Sequence, residues 1–302
     1  MGVEATRETL TERAEEFVAR REPFVRATVV RAQHPTSAQA GDTALVDATG
    51  EIDGFVGGNC VEASVRVYAL QALSTEEPLL LRVVPGEPSH VEEEGAVEVS
   101  NPCLSGGAIE IFLEPRIPAP RVLVVGETPI AQALATLGAG LGLDVELTTG
   151  TSAHPRADDA AVIVASHGKD EEPALMAALA AGVAYVALVA SEVRGAAVLA
   201  SLDVDEEQRA RVFSPAGLEL GARTPGEIAL SILAQLVSER VKSRPAKTAP
   251  TVRTAIDPVC GMAVAAVESS IHVERDGVTT YFCSDGCRTS FLAHPEQYAV
   301  AS

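Results

Sequence analysis

The stretch Arg121-Val122-Leu123-Val124-Val125-Gly126-Glu127-Thr128-Pro129-Ile130-Ala131 runs from an unbroken apolar segment through a glycine turn into a helix start pre-set by proline. Four apolar residues in a row without polar alternation belong to a strand covered on both faces, the habit of a parallel sheet. The chain then alternates: helix 130–141, strand 145–147, strand 161–165, helix 171–181 and strand 185–189. A final helix is marked by Thr224, Pro225 and Glu227, a capping box with proline at the first helical position. Its expected buried stripe is Ile228, Ile232, Leu233, Leu236 and Val237.

This region reads as Rossmann-like, yet its glycine fingerprint is broken. A dinucleotide fold places Gly-x-Gly-x-x-Gly or Ala after the first strand. Here only Gly126 and Ala131 match, and Thr128 occupies the place where a second glycine would let backbone approach a pyrophosphate. The next strand ends in Thr148, Thr149 and Gly150 instead of a ribose-binding acid. The sheet is therefore either a scaffold or a ligand site whose candidate residues are Gly126, Thr128 and, at the carboxyl edge of the third main strand, His167. The helix start at Pro129 remains able to receive an anion through its amides.

Upstream, residues 4–21 place Leu10, Ala14, Phe17 and Val18 on one helical face. Strands are expected at 26–31, 43–47, 52–56, 79–84 and 108–113, with a helix at 61–73, and prolines 115, 118 and 120 mark a boundary. Two glycine-cysteine loops interrupt this α/β pattern: Gly57-Gly58-Asn59-Cys60-Val61-Glu62 and Cys103-Leu104-Ser105-Gly106-Gly107. Paired glycines permit close approach to a ligand, and thiols at a helix start are good nucleophiles or soft ligands. The two loops are either one site or two tight turns with incidental cysteines. Glu62, Glu110 and Arg223 are ligand contacts or internal caps and pairs.

Composition narrows the function classes. The 302 residues, 47% of them apolar, suffice for more than one core. Twenty-three Lys and Arg against 42 Asp and Glu give a net charge of -19, which repels nucleic acid and anionic membrane; a phosphate-bearing ligand must be held locally. Residues 1–21 lack the apolar core of a signal peptide, and no apolar run approaches the ~18 residues of a membrane span. Five cysteines, unevenly spread, do not form a secreted disulfide framework, so a reducing cytoplasm is expected.

After a proline-bearing basic linker at 241–254, the tail 255–302 is too short for a large core and needs a staple. It carries Asp257-Pro258-Val259-Cys260-Gly261-Met262 and Tyr281-Phe282-Cys283-Ser284-Asp285-Gly286-Cys287. Three thiols in this spacing nearly complete a metal shell, with His272 the candidate fourth ligand and His294 or a partner's residue the alternatives. The other reading is that these are small buried apolar residues. The segment from Asp257 to Tyr298, with Phe291 and Pro295-Glu296-x-Tyr298, resembles a YHS domain, a metal-associated module of treble-clef or TRASH-like type. That resemblance implies zinc, copper or iron.

The first two regions are similar to the XdhC/CoxI family, accessory proteins for xanthine dehydrogenase and aerobic carbon monoxide dehydrogenase. The resemblance is carried by Ala27 to Arg31, Gly41 to Asp47, Gly57 to Glu62, Gly106 to Pro115, and Gly217-Leu218-Glu219-Leu220-Gly221-Ala222-Arg223-Thr224-Pro225-x-Glu227-Ile228-Ala229. Asn59 departs from the family's usual serine-glycine-glycine loop, Ser105 replaces a second cysteine, and Ser37 to Ala40 lack a proline-arginine stretch.

The resemblance implies a non-enzymatic chaperone that binds molybdenum cofactor of the molybdopterin type and helps to insert it into an apo-molybdenum hydroxylase. A cofactor-sulfurating enzyme is a further implied partner, and a homodimer is compatible with it. The candidate cofactor residues are Gly57, Gly58, Asn59, Cys60, Glu62, Cys103, Ser105, Gly106, Gly107 and Arg223, with Gly126, Thr128 and His167 added from the sheet edge of the Rossmann-like region. The expected architecture is α/β: an N-terminal α/β domain at 1–118, a Rossmann-like parallel-sheet domain at 119–240, the linker, and the YHS module. Rival readings are an NAD(P)-dependent oxidoreductase and a metal-binding or sensing protein acting through the tail.

Overall fold

The computed structural model describes residues 2–86, 93–101, 107–243, 252–275 and 277–298. The chain forms two compact units, Met1–Pro118 together with Lys247–Ser302, and Ala119–Ala246.

The first unit opens with α1 (Gly2–Arg20) and continues through β1 (Phe24–Gln33), β2 (Thr43–Asp47), β3 (Ile52–Gly54), α2 (Asn59–Thr75), β4 (Leu79–Pro85), β5 (Ala96–Asn101) and β6 (Ala108–Arg116). These strands make one sheet in the order β3-β2-β1-β6-β4-β5, antiparallel except for the parallel β4–β5 pair. Alternation along β6 turns Ile109, Ile111 and Leu113 inward, where they meet Val61, Val65, Ala69 and Ala72 of α2. From α1, Leu10, Ala14 and Phe17 pack on Phe24 and Leu45, whereas Val18, expected on the same face, is 67% exposed. β5 is not among the expected strands, although Val97 and Val99 alternate with Glu98 and Ser100 along it.

The second unit contains β7 (Arg121–Val125), α3 (Pro129–Gly140), β8 (Asp144–Thr148), β9 (Ala161–Val164), α4 (Glu171–Ala180), β10 (Val186–Leu188), α5 (Glu192–Ser201), α6 (Glu206–Ala210), β11 (Val212–Phe213) and α7 (Pro225–Ser243). Its sheet is parallel throughout, in the order β8-β7-β9-β10-β11. Successive residues of β7 serve opposite layers: Val122 and Val124 join Leu134, Ile232 and Leu233, while Leu123 and Val125 join Leu175 and Leu179. This two-sided burial is why the strand carries no polar alternation. Arg121, at its start, is buried but paired to the equally buried Asp159 at 2.7 and 2.9 Å. On α7 the inward stripe is Ala229, Ile232, Leu233 and Leu236; Val237, one helical step further round, is 46% exposed. The helix also runs to Ser243, past the expected start of the linker at 241.

The tail returns to the first unit. It is two short antiparallel ribbons, β12 (Thr254–Ile256) with β13 (Ala263–Ala265) and β14 (Ile271–Arg275) with β15 (Val278–Phe282), followed by α8 (Asp285–Ala293). Phe291 bridges Phe282 and Tyr298, with ring centroids 5.2 and 6.3 Å away. Met262 and Val264 pack on Ala63 of α2, so that helix is buried on one side by the sheet and on the other by the tail. The Ser269 hydroxyl donates to the Thr49 carbonyl at 2.8 Å and adds a polar tie.

Candidate functional site

The site of the first unit is built on the start of α2. Gly57, at φ +139°, adopts a backbone conformation suited to glycine, and Gly58 stands at the N-cap with no side chain to offer the first-turn amides. This sharp entry puts Asn59 and Cys60 in the first turn. A cleft of about 620 Å³ opens there, within the size range of small-molecule sites. Gly58, Asn59, Cys60 and Val61 form one wall, His34 to Ser37 a second, and Gly107 and Ile109 a third, with Ser284 of the tail at the edge. Gly107 is sterically required: an added Cβ would lie 2.1 Å from the Pro35 carbonyl oxygen. Among the described lining residues there is no lysine or arginine. The polar groups are the His34 ring, the hydroxyls of Thr36, Ser37 and Ser284, the Asn59 amide and the Cys60 thiol.

Cys60 faces a second group as well. Its sulfur is 4.0 Å from that of Cys283, which lies 3.5 Å from Cys260 and 3.7 Å from Cys287. Asp257, Cys260, Cys283 and Cys287 each offer a donor atom, and these atoms lie within 4.8 Å of one another, an arrangement able to hold a metal ion. Asp257 is fully buried; its carboxylate accepts the amides of Val259 at 2.9 Å and Cys283 at 2.8 Å. Burial raises its pKa, but these amides, together with hydrogen bonds from the Cys283 and Cys287 thiols, more than offset that and hold it below the usual carboxylate range. Ser284 caps α8 by accepting from the Cys287 amide at 3.2 Å, which places Cys287 in the first turn. Burial pushes the Cys287 thiol up to about 11. Sharing with the Cys283 thiol, and then burial, drive Cys260 upward too. Without a cation these thiols stay protonated at neutral pH; a bound metal reverses that preference.

The expected fourth ligand, His272, stands elsewhere. Its Nδ1 is 2.8 Å from the Ser270 carbonyl and its ring lies against Tyr281, so Asp257 is the non-thiol donor beside the cysteines. His294 lies 3.7 Å from Glu296. Glu62 sits one helical turn before Arg66. Burial raises its pKa and the Arg66 charge opposes the rise, while Arg66 itself donates to the Gly50 carbonyl at 2.7 Å. Glu110 pairs with Arg31 at 3.2 Å. Cys103, Ser105 and Gly106 lie outside the described residues. His34, Pro35, Thr36 and Ser284 were not anticipated as cleft residues, and neither was the meeting of Cys60 with the tail.

In the second unit, Gly126 and Ser166 to Gly168 lie at the carboxyl ends of β7 and β9, where the strand order reverses. An added Cβ on Gly126 would sit 2.4 Å from the Ala165 carbonyl oxygen. Thr128 donates its hydroxyl proton to that same carbonyl at 2.8 Å and accepts the Ala131 amide at 3.2 Å, so its side chain caps α3 and ties β7 to β9. His167 is exposed, in the left-handed conformation at φ +54°. The amides of Arg223 and Thr224 donate to Glu227, both at 2.9 Å, completing the cap of α7.

Three stretches match known families: 17–84 the XdhC and CoxI family, 122–236 the XdhC Rossmann domain, and 255–302 the YHS domain. A relative described as uncharacterized protein YqeB, from Escherichia coli (strain K12), is 30% identical over 243 residues, 71% of this chain and 43% of that protein. A second relative, described as a probable xanthine dehydrogenase subunit, from Bacillus subtilis (strain 168), is 26% identical over 155 residues, 43% of this chain and 46% of that one. The chain thus spans less than half the length of both relatives. A crystal structure of a xanthine dehydrogenase from Bacillus halodurans shares 16% identity at a TM-score of 0.38, covering 79% of this chain and 97% of that one. Among the described residues no helix is long and apolar enough to cross a membrane. The chain carries a stretch of the XdhC and CoxI type, an XdhC Rossmann domain and a YHS domain, in that order.

Proposed function

We propose that this chain is an accessory factor for a molybdenum hydroxylase of the xanthine dehydrogenase class, holding molybdenum cofactor in the cleft at the start of α2. The observation that carries the reading is Cys60: a thiol in the first turn of an uncapped helix, on the wall of a cleft about 620 Å³ in volume. The donor set fits the group. A thiolate suits a soft metal centre, the first-turn amides suit a phosphate, and Gly58 and Gly107 keep two walls bare. With no arginine or lysine among the described lining residues, the phosphate would rest on amides and on the hydroxyls of Thr36, Ser37 and Ser284. When bound, the cofactor supplies the molybdenum–dithiolene centre; the chain's part is to orient it and shield it from water. Delivery to an apo-hydroxylase, with a sulfurating enzyme as further partner, follows from the same reading.

The test is to purify the protein from cells competent in cofactor synthesis and assay released pterin fluorescence and metals, with Cys60→Ser beside it. Near-stoichiometric pterin that falls at least several-fold in the variant is the expected result. Absence of pterin from such cells would overturn the reading. A second reading, metal handling through the tail, is favoured by the cluster of Asp257 and three cysteines. Cys260→Ser in the full chain separates the two: hydroxylase maturation that survives loss of the tail metal leaves the first reading standing.

A further inference from the structure

We infer that Cys60 completes the tail's thiol set, so that one soft divalent cation such as Zn²⁺ is held by Cys60, Cys260, Cys283 and Cys287 and competes with the cleft for the Cys60 sulfur. The inference rests on the metal-binding reading of the tail and adds a ligand from outside it. Distance is the first support. In a tetrahedral thiolate site with Zn–S near 2.3 Å, sulfurs stand roughly 3.8 Å apart. The Cys283 sulfur lies 3.5, 3.7 and 4.0 Å from those of Cys260, Cys287 and Cys60, three edges that bracket this value; Cys60 stands outside the group of Asp257, Cys260, Cys283 and Cys287 whose donor atoms all lie within 4.8 Å, so its sulfur turns inward on binding.

The second support is the employment of the other donors. Both Asp257 oxygens accept backbone amides, so this carboxylate braces the Cys283 loop and, although it lies within ligating reach, a fourth thiolate makes the softer set; His272 faces the Ser270 carbonyl. The third is that α2 is already seated on the tail through Ala63, Met262 and Val264, so Cys60 needs no docking motion to reach the cluster. Binding releases the thiol protons to solvent. Since Cys60 also lines the cleft, a sulfur bound to the cation is withdrawn from any cleft ligand.

The experiment titrates metal-free, reduced full-length protein with Co²⁺ and follows its visible and charge-transfer bands, in wild type, Cys60→Ser and Cys260→Ser. In parallel, alkylation of Cys60 in the wild type is mapped by mass spectrometry with and without Zn²⁺. The expected result is one tetrahedral Co²⁺ whose charge-transfer band loses about a quarter of its intensity in Cys60→Ser, one thiolate of four. Affinity there should fall by no less than the ~10-fold that loss of a ligand's outer partner costs, and Zn²⁺ should protect Cys60. If Cys60→Ser titrates like wild type, Cys60 alkylates at the metal-free rate and Cys260→Ser abolishes binding, the shared site falls and the tail's own metal site stands. If the wild type takes up no Co²⁺, both fall. Alkylation decides the question should Cys60→Ser fail to fold.

Discussion

The starts of α2 and α3 solve the same problem in opposite ways. Each helix follows a glycine in a positive-φ turn, Gly57 at +139° and Gly126 at +133°. At α3 the N-cap Thr128 spends its hydroxyl on the Ala131 amide and the Ala165 carbonyl, so the second unit satisfies its own helix start. At α2 the N-cap is Gly58, with no side-chain cap and open space around its Cα. A helix start closed by its own side chain is a structural joint; one left bare beside a cleft and a thiol is available to a ligand. The broken dinucleotide fingerprint thus marks the joint, and the less familiar glycine pair marks the candidate site.

This contrast can be broken by substitution. The largest expected effect is Gly126→Ala, which combines a positive φ with a Cβ 2.4 Å from the Ala165 carbonyl. Strain and overpacking together should cost on the order of 3 kcal/mol, seen as a lower denaturant midpoint for the second unit. An unmoved midpoint would mean that the turn at α3 is loose. Thr128→Ala should cost roughly 1–2 kcal/mol through the lost cap.

Thr128→Gly restores the missing fingerprint glycine. Isothermal titration with NAD⁺ and NADP⁺ should still show no tight saturable binding in either wild type or this variant; binding in the wild type would revive the oxidoreductase reading. The smallest effect is Gly58→Ser, of opposite sign. A supplied cap should raise stability by a few tenths of a kcal/mol, while co-purifying pterin decreases because the new hydroxyl competes for the amides. A more stable variant with undiminished pterin would show that the α2 amides play no part in holding the ligand.

What could be read from the residues follows from where each segment is buried. β7 was legible because both its faces are covered, leaving Val122 to Val125 no reason to alternate. The box at Thr224 and Glu227 was legible because capping is local. β11 is only two residues long and shows no period, whereas β5 alternates Val97 and Val99 with Glu98 and Ser100, a short signal that the expected strands left out. In the site, the tail thiols could be grouped by spacing. The meeting of Cys60 with Cys283 spans 223 positions, and no local pattern encodes it. His272 is a ligand type by its chemistry, but strand geometry sets it against Tyr281 and directs Nδ1 to the Ser270 carbonyl.

The first unit is assembled from two separate lengths of chain, and this imposes an order of events during synthesis. At roughly 5–20 residues per second, the 223 positions between Cys60 and Cys283 amount to about ten to forty-five seconds of translation. For that interval α2 can pack on its sheet while its other side, with Ala63 and Cys60, awaits its cover. Cys60 thus gains its tail neighbours last, and a newborn chain presents this thiol before Cys283 comes to stand 4.0 Å from it.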